Sequence, residues 1–451
     1  MRRPMHELLQ SVSARLSLHM PASQGQALFA GIDPSLLETT ELPVTDDLYN
    51  PTGAIAQAER LLAVSAKARA SFMLHGGSTA GVHAMILYAC RRGDTVVLPR
   101  NAHLSALNIC AVAGIEPAFA DVAETPEGWV TATPESYRKA LAERPHAKAA
   151  LVLSSDYFGL LCDLPAIADL VHAQGKLLLC DEAHGAYFNW RRDVRNAGAR
   201  GADLFVQSAH KTLPAVNAAA WLHAMDGVDT GRLRTILRMV QTSSPSFALM
   251  QSMDDARAWM DAHGREACER LLRAREAFRR KAAALGFADD QKAYPSDRLR
   301  LVLRAPKGGE WLRRKLQELG IDAEMSDTDH IVCILSLLDG EKRLDTLLDA
   351  LKRITREPAD DAAGKPTPLK LMPAAWPQRR MPLSEAVFAE SDVLQPPDAI
   401  GRVSAVNIGI YPPGVAWLTA GEAITDEIAD MIRNTPAHRL FGVNGGIRCV
   451  K

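Results

Sequence analysis

Several things are missing from this 451-residue chain, and each absence narrows what it can be. Its seven cysteines, Cys90, Cys110, Cys162, Cys180, Cys268, Cys333 and Cys449, form no CxxC pair. A disulfide framework and a zinc cluster are therefore not expected, and a reducing compartment is. No run approaches the roughly 18 apolar residues of a membrane span. The N-terminus, Met1-Arg2-Arg3-Pro4-Met5-His6-Glu7, lacks the apolar core of a signal peptide. With 52 Lys+Arg against 53 Asp+Glu the net charge is −1, so no long-range field exists to attract a polyanion. There is no internal repeat and no low-complexity tract. No G-x-x-x-x-G-K-[ST] loop is present either, which removes the helicase reading of Asp181-Glu182-Ala183-His184. The expectation is a soluble cytoplasmic protein with no nucleic-acid or membrane partner.

At roughly 100–200 residues per domain, the length suggests two or three domains. Residues 1–50 carry scattered charge and prolines and read as an arm lying on something else. A helix is expected over Ala56 to Ala68. From about 72 to 225, short apolar runs (Phe72-Met73-Leu74, Thr95 to Leu98, Pro117 to Ala120, Ala149 to Leu153, Lys176 to Cys180, Leu204 to Val206, Ala218 to His223) alternate with helical segments, the first from about Val82 to Cys90. Fully apolar strands alternating with helices predict a mostly parallel sheet covered on both faces. Residues 255–288 read as one long helix whose arginines form a solvated face. A smaller α/β pattern follows to 356, with strands near Leu299 to Leu303 and Ile331 to Leu335. The proline-rich stretch 357–380 reads as a linker. The expected organisation is thus arm 1–50, large domain 51–255, small α/β domain 256–356, linker 357–380, and 381–451 as a further part of the small domain.

Ligands of such sheets sit outside the C-terminal strand ends. Three polar clusters fall there. His75-Gly76-Gly77-Ser78-Thr79-Ala80-Gly81 is a strand–turn–helix junction whose amides and hydroxyls suit a phosphate, although Ser and Thr are also ordinary cap residues. Asp181-Glu182-Ala183-His184-Gly185 closes a buried strand with a carboxylate that needs a cationic partner. Ser208-Ala209-His210-Lys211-Thr212 closes another; a lysine among apolar residues can act as a nucleophile. In this chain order the three supply what pyridoxal 5′-phosphate (PLP) needs: an amine for its aldehyde, a carboxylate for its ring nitrogen, donors for its phosphate. Cys162 and Cys180, near these motifs, read as packed apolar residues.

Further stretches fall in the same order: Leu98-Pro99-Arg100-Asn101-Ala102-His103, Gln241-Thr242-Ser243-Ser244-Pro245-Ser246 and Tyr411-Pro412-Pro413-Gly414. Together with the three clusters they make the chain resemble the major domain of the Orn/Lys/Arg decarboxylase family, fold-type I PLP enzymes, in its short bacterial form. The resemblance implies an α/β PLP-transferase fold and roles residue by residue. Lys211 would hold the cofactor aldehyde and Asp181 its ring nitrogen. His103 would stack on one ring face and Ala183 lie against the other. Ser78, Thr79 and Ser208 would hold the phosphate. His184 would sit at the ring's hydroxyl edge or orient Asp181, and His210 could donate the closing proton. Residues 241–246 would reach the neighbouring subunit of a homodimer or higher oligomer. No metal is implied.

The implied reaction is decarboxylation of a basic L-amino acid (lysine, ornithine or arginine) to its amine. Alternatives are redirected PLP chemistry on an amino acid, such as oxidation, aldol or transfer, and a non-catalytic regulatory paralogue. They are kept open by departures from the family pattern. The early Pro-Gly-His-Lys turn reads Pro21-Ala22-Ser23-Gln24-Gly25, and the lysine after the stacking histidine is Leu104. The Pro-Thr-Tyr-x-Gly stretch reads Ser155-Asp156-Tyr157-Phe158-Gly159, and the Thr-Gln pair after the lysine is Asn217-Ala218. Asp156 adds an anion that could meet a cationic substrate group.

Overall fold

A computed structural model describes residues 3–24, 26, 28, 39–356, 370–411 and 414–451. Its centre is a seven-stranded sheet of β1 (Ala70–Leu74), β2 (Thr95–Pro99), β3 (Glu116–Ala120), β4 (Ala149–Leu153), β5 (Leu177–Asp181), β6 (Leu204–Gln207) and β7 (Ala220–Ala224), in the order β1-β7-β6-β5-β4-β2-β3. From β6 to β3 every pairing is parallel. The exception is β7, antiparallel to both β6 and β1.

Alternate side chains explain why these strands read as unbroken apolar runs. Leu98, Leu151, Leu179 and Val206 enter one buried cluster, which α1 (Gly77–Ala89) and α2 (Leu104–Ala113) cover. Val97, Val152, Cys180 and Phe205 enter the opposite one, under helices Pro134–Glu143 and Leu164–His172. Both faces are thus dry, as a parallel sheet requires. Helix α1 starts earlier than expected, at Gly77, because the glycine turn itself becomes its first turn, with Gly77 at φ +66°.

The expected helix over 255–288 is two helices, Phe247–Trp259 and Arg265–Ala283, joined by a π turn at Met260–Gly264. Its arginines are not all on a solvated face. Arg275 is buried and donates to Asp289 (3.0 Å) and Gln291 (2.6 Å), because the loop after the helix folds back over it. Beyond lies an antiparallel sheet of Leu301–Arg304, His330–Cys333 and Met325–Ser326. The arm does lie on this part of the chain: Leu16–Leu18 pairs in parallel with Ile321–Ala323, and Ala22 N donates to the His210 carbonyl at 2.8 Å. It also carries a helix, Pro4–Val12, within a stretch of little apolar periodicity.

Residues 381–451, placed with the small domain by sequence, centre on a cluster around Ile408, Trp417, Ile428 and Cys449 that also takes in Val122 and Val130 of the large domain. Their strands join no sheet of residues 301–333. They are tied to the end of β2 instead, where Arg100 and Glu422 form a buried bidentate pair at 2.9 and 3.3 Å between the rings of Phe119 and Trp376. Of the expected linker, 357–369 lie outside the described residues, as do Gly25, Pro412 and Pro413. All seven cysteines are buried and unpaired. No helix among the described residues is long and apolar enough to cross a membrane.

Candidate active site

The C-terminal ends of β1, β2, β4, β5 and β6 meet at one edge of the sheet, and a cavity of about 280 Å³ opens there. Ser78, His103, Asp181, Ala183, His184 and Lys211 all line it. Residues that sequence places more than a hundred positions apart are brought together by parallel strands ending at the same level. Gly81 makes the closest approach in this frame: a Cβ there would lie 2.4 Å from Val206 Cγ2, so only glycine lets α1 sit this low on β6.

Lys211 stands in a four-residue helix, Ala209–Thr212, in the short reversal between β6 and β7. Its Nζ lies 3.3 Å from His184 Nε2. Burial lowers the affinity of this amine for a proton, while the Asp181 charge works against that trend. Asp181 ends β5 and accepts the Ala183 amide at 3.1 Å. His103 is both a helix cap and a cavity wall. Its Nδ1 faces the Ser105 amide (3.2 Å) and hydroxyl (2.9 Å) at the start of α2. Burial holds His103 below the ordinary histidine range, as it does His184, which also feels the positive charges of Lys211 and Arg300.

Three expected site residues stand differently. Thr79 is exposed and, like Ser208 and His210, does not line the cavity. Ser208 is wholly buried, its hydroxyl without a partner, and so is the Thr212 hydroxyl beside it. His210 spends Nδ1 on the Ala219 carbonyl at 2.9 Å. His184 bonds Lys211 and Arg300 rather than Asp181. Gln241 folds against the first cluster of the same chain, accepting from the His75 amide at 2.8 Å.

Other residues complete the cavity that sequence reading left unassigned. Tyr157 stands edge-on to His184 (centroids 5.0 Å apart) and to Tyr411 (5.2 Å). Tyr411, Gly414, His438, Leu440 and Phe441 close the cavity from the C-terminal segment, and Asn101 joins from the loop after β2. The Tyr411 motif was visible in sequence; that it faces Tyr157 was not, since only tertiary closure sets the pairing. Asp156 lines the cavity as well, its carboxyl accepting the Leu160 amide at 2.7 Å. Burial raises its pKa to about 7. On the far side of β5, Glu182 is also raised to about 7 by burial, against the pull of Arg200 at 3.1 Å and Gln207 at 2.7 Å.

This arrangement offers a buried amine and a strand-end carboxylate, a ring on one wall and a methyl group on another. Comparison with known proteins gives the lineage. Residues 34–297 match the family described as Orn/Lys/Arg decarboxylase, major domain. The chain belongs to the Orn/Lys/Arg decarboxylase family. Among relatives in this family, the arginine decarboxylase of Bacillus subtilis (strain 168) is 28% identical across 96% of this chain and 94% of its own length. The lysine decarboxylase LdcA of Pseudomonas aeruginosa is 27% identical over 54% of this chain and 36% of its own. The constitutive lysine decarboxylase of E. coli shares the fold, with a TM-score of 0.79 at 18% identity, over 100% of this chain and 81% of that one. The family stretch 34–297 contains Ser78, His103, Asp181, Ala183, His184 and Lys211, all the expected residues that line the cavity.

Proposed function

We propose that this protein is a PLP-dependent decarboxylase that converts a basic L-amino acid to its amine and CO₂. The observation that carries the reading is the Lys211 amine, sharing one cavity with Asp181, His103, Ala183 and Ser78 in a chain of this family. The residues present fit the cofactor. The buried hydroxyls of Ser208 and Thr212 have no partner in the protein, and phosphate oxygens would satisfy them. When bound, PLP would supply an electron sink for the pair left by the departing carboxylate.

The chain's own groups do the rest. Lys211 Nζ would hold the cofactor by its aldehyde. Asp181 would pair with the ring nitrogen and keep a proton on it. His103 and Ala183 would hold the cofactor ring from its two sides. Ser78, with Thr79 and Ser208 nearby, would anchor the phosphate. Lys211 Nζ would return a proton to the α-carbon; His210 could do so only after taking one up on Nε2, since its Nδ1–H is held by the Ala219 carbonyl. The rim of Tyr157, Tyr411 and Phe441 narrows the cavity, and Asp156, once a cationic side chain draws off its proton, offers that side chain an anion. A cytoplasmic homodimer or higher oligomer belongs to the same proposal. The buried free thiols support a reducing compartment, and the exposed Leu8, Leu9 and Val12 offer apolar surface to a second copy.

The test is mass spectrometry of PLP-loaded protein incubated separately with L-lysine, L-ornithine and L-arginine. One product lighter by CO₂ is expected. Cofactor absorbance with no such product would overturn decarboxylation and favour redirected chemistry, which Asp156 in the place of the family's threonine motivates.

A further inference from the structure

Arg300 is 2% exposed, in the turn just before strand Leu301–Arg304. Its Nη2 meets His184 Nδ1 at 2.9 Å, while its Nη1 is buried with no partner at all. Among the described residues its one side-chain hydrogen bond is to that imidazole, and no carboxylate lies within ion-pair distance. A buried guanidinium with no carboxylate in contact is costly, Asp156 feeling its charge only at a distance, so its effect on His184 matters.

The proton count settles what that effect is. A guanidinium has only donors, so His184 Nδ1 must accept. In a neutral imidazole the hydrogen then sits on Nε2, the atom 3.3 Å from Lys211 Nζ. An ammonium group also has only donors, so this contact is a hydrogen bond only when Lys211 is the free amine. We propose that Arg300 is a positioning residue: it locks His184 as the Nε2–H tautomer and, through that hydrogen, holds Lys211 unprotonated. The proposal rests on Lys211 being the cofactor lysine, since an unprotonated amine is the form that can bond to an aldehyde carbon.

The groups facing Lys211 divide in a consistent way. Asp181 and Glu324 favour the ammonium, whereas burial and the Arg300 charge favour the amine. His184, His103 and His210 are each held below the usual histidine range by burial, and so remain neutral neighbours.

Two measurements on the full-length, cofactor-free protein test this without turnover. In the first, ¹⁵N-histidine NMR, with His184→Gln to assign the signal, reads the tautomer. A Nε2–H imidazole unchanged from about pH 5 to 8 is expected; a Nδ1–H tautomer, or an imidazolium near neutrality, overturns the proposal. In the second, acetic anhydride labelling of Lys211 is followed across pH by peptide mass spectrometry. Arg300→Met should move the labelling midpoint to higher pH, and labelling near neutrality should slow about tenfold for every pH unit the midpoint moves. Arg300→Lys, which keeps the charge, should restore it. An unmoved midpoint in Arg300→Met overturns the proposal. If that variant does not fold, the wild-type spectrum and Arg300→Lys decide. Failure of the underlying reading would show separately, as PLP absorbance that survives Lys211→Ala.

Discussion

Among the described residues Lys211 is the one lysine on the cavity wall, so Lys211→Ala is expected to leave no amine there to hold an aldehyde. Near-visible absorbance on adding PLP, and turnover, should both vanish; normal turnover in the variant would remove Lys211 from the site. Asp156 lends itself to a different measurement. Burial raises its carboxyl from 3.8 to about 7, so the folded chain binds a proton that the unfolded chain has released. Stability from this group is complete below the unfolded value and is lost as pH rises through about 7. Asp156→Asn should flatten that loss, its Tm gaining on wild type between about pH 5 and pH 8. A parallel pair of Tm curves would mean the carboxyl is not buried as described. At this scale the sequence was legible where a residue's chemistry is rare in its setting. A carboxylate and a lysine at the ends of apolar strands stand out. Arg300 does not, because one more arginine beside Arg298 and Arg304 looks like solvated charge until His184 is placed against it.

Elements carry the cavity through two close contacts. Gly81→Ala would drive a methyl into Val206 and lift α1, with Ser78 on its first turn, off β6. The expected cost is about 1–3 kcal/mol, the range for overpacking, measured by denaturant unfolding, and Val206→Ala should recover much of it. The Arg100–Glu422 pair holds the C-terminal wall to the end of β2. Glu422→Gln leaves a buried guanidinium with an incomplete partner, and a loss of about 3–5 kcal/mol is expected. KM should rise, because Asn101 and the Tyr411 rim hang on the same junction. A variant with unchanged stability and KM would show that this pair does not support the wall. Strand and helix order was readable in advance because apolar runs in a doubly covered sheet are unambiguous. The direction of β7 was not: Ala220 to Ala224 is apolar whichever way it runs, and only the short Lys211 reversal makes it antiparallel. Nor could periodicity reveal the π turn at Met260–Gly264, which keeps both flanking helices on the same buried side.

Across the whole molecule, the sheet edge and the C-terminal segment come from distant stretches, and the cavity exists only once both are in place. The buried thiols make that assembly observable. Cys90 and Cys110 lie on one face of the sheet, Cys162 and Cys180 on the other. Cys268 and Cys333 lie in the cluster that includes strands Leu301–Arg304 and His330–Cys333, and Cys449 in the C-terminal one. Burial raises Cys90, Cys268 and Cys333 to about 12 and Cys162 to about 11, so the closed protein offers alkylating reagents almost no thiolate. Each cysteine is then a clock that runs only while its own neighbourhood is open. Labelling rates read peptide by peptide would rank the parts by their opening free energies. Cys449 should be marked first, since the C-terminal segment adds no strand to the seven-stranded sheet and can detach while that sheet stays shut. If all seven thiols instead react at one rate, the chain opens as a single unit, and the cavity wall is as durable as the sheet behind it.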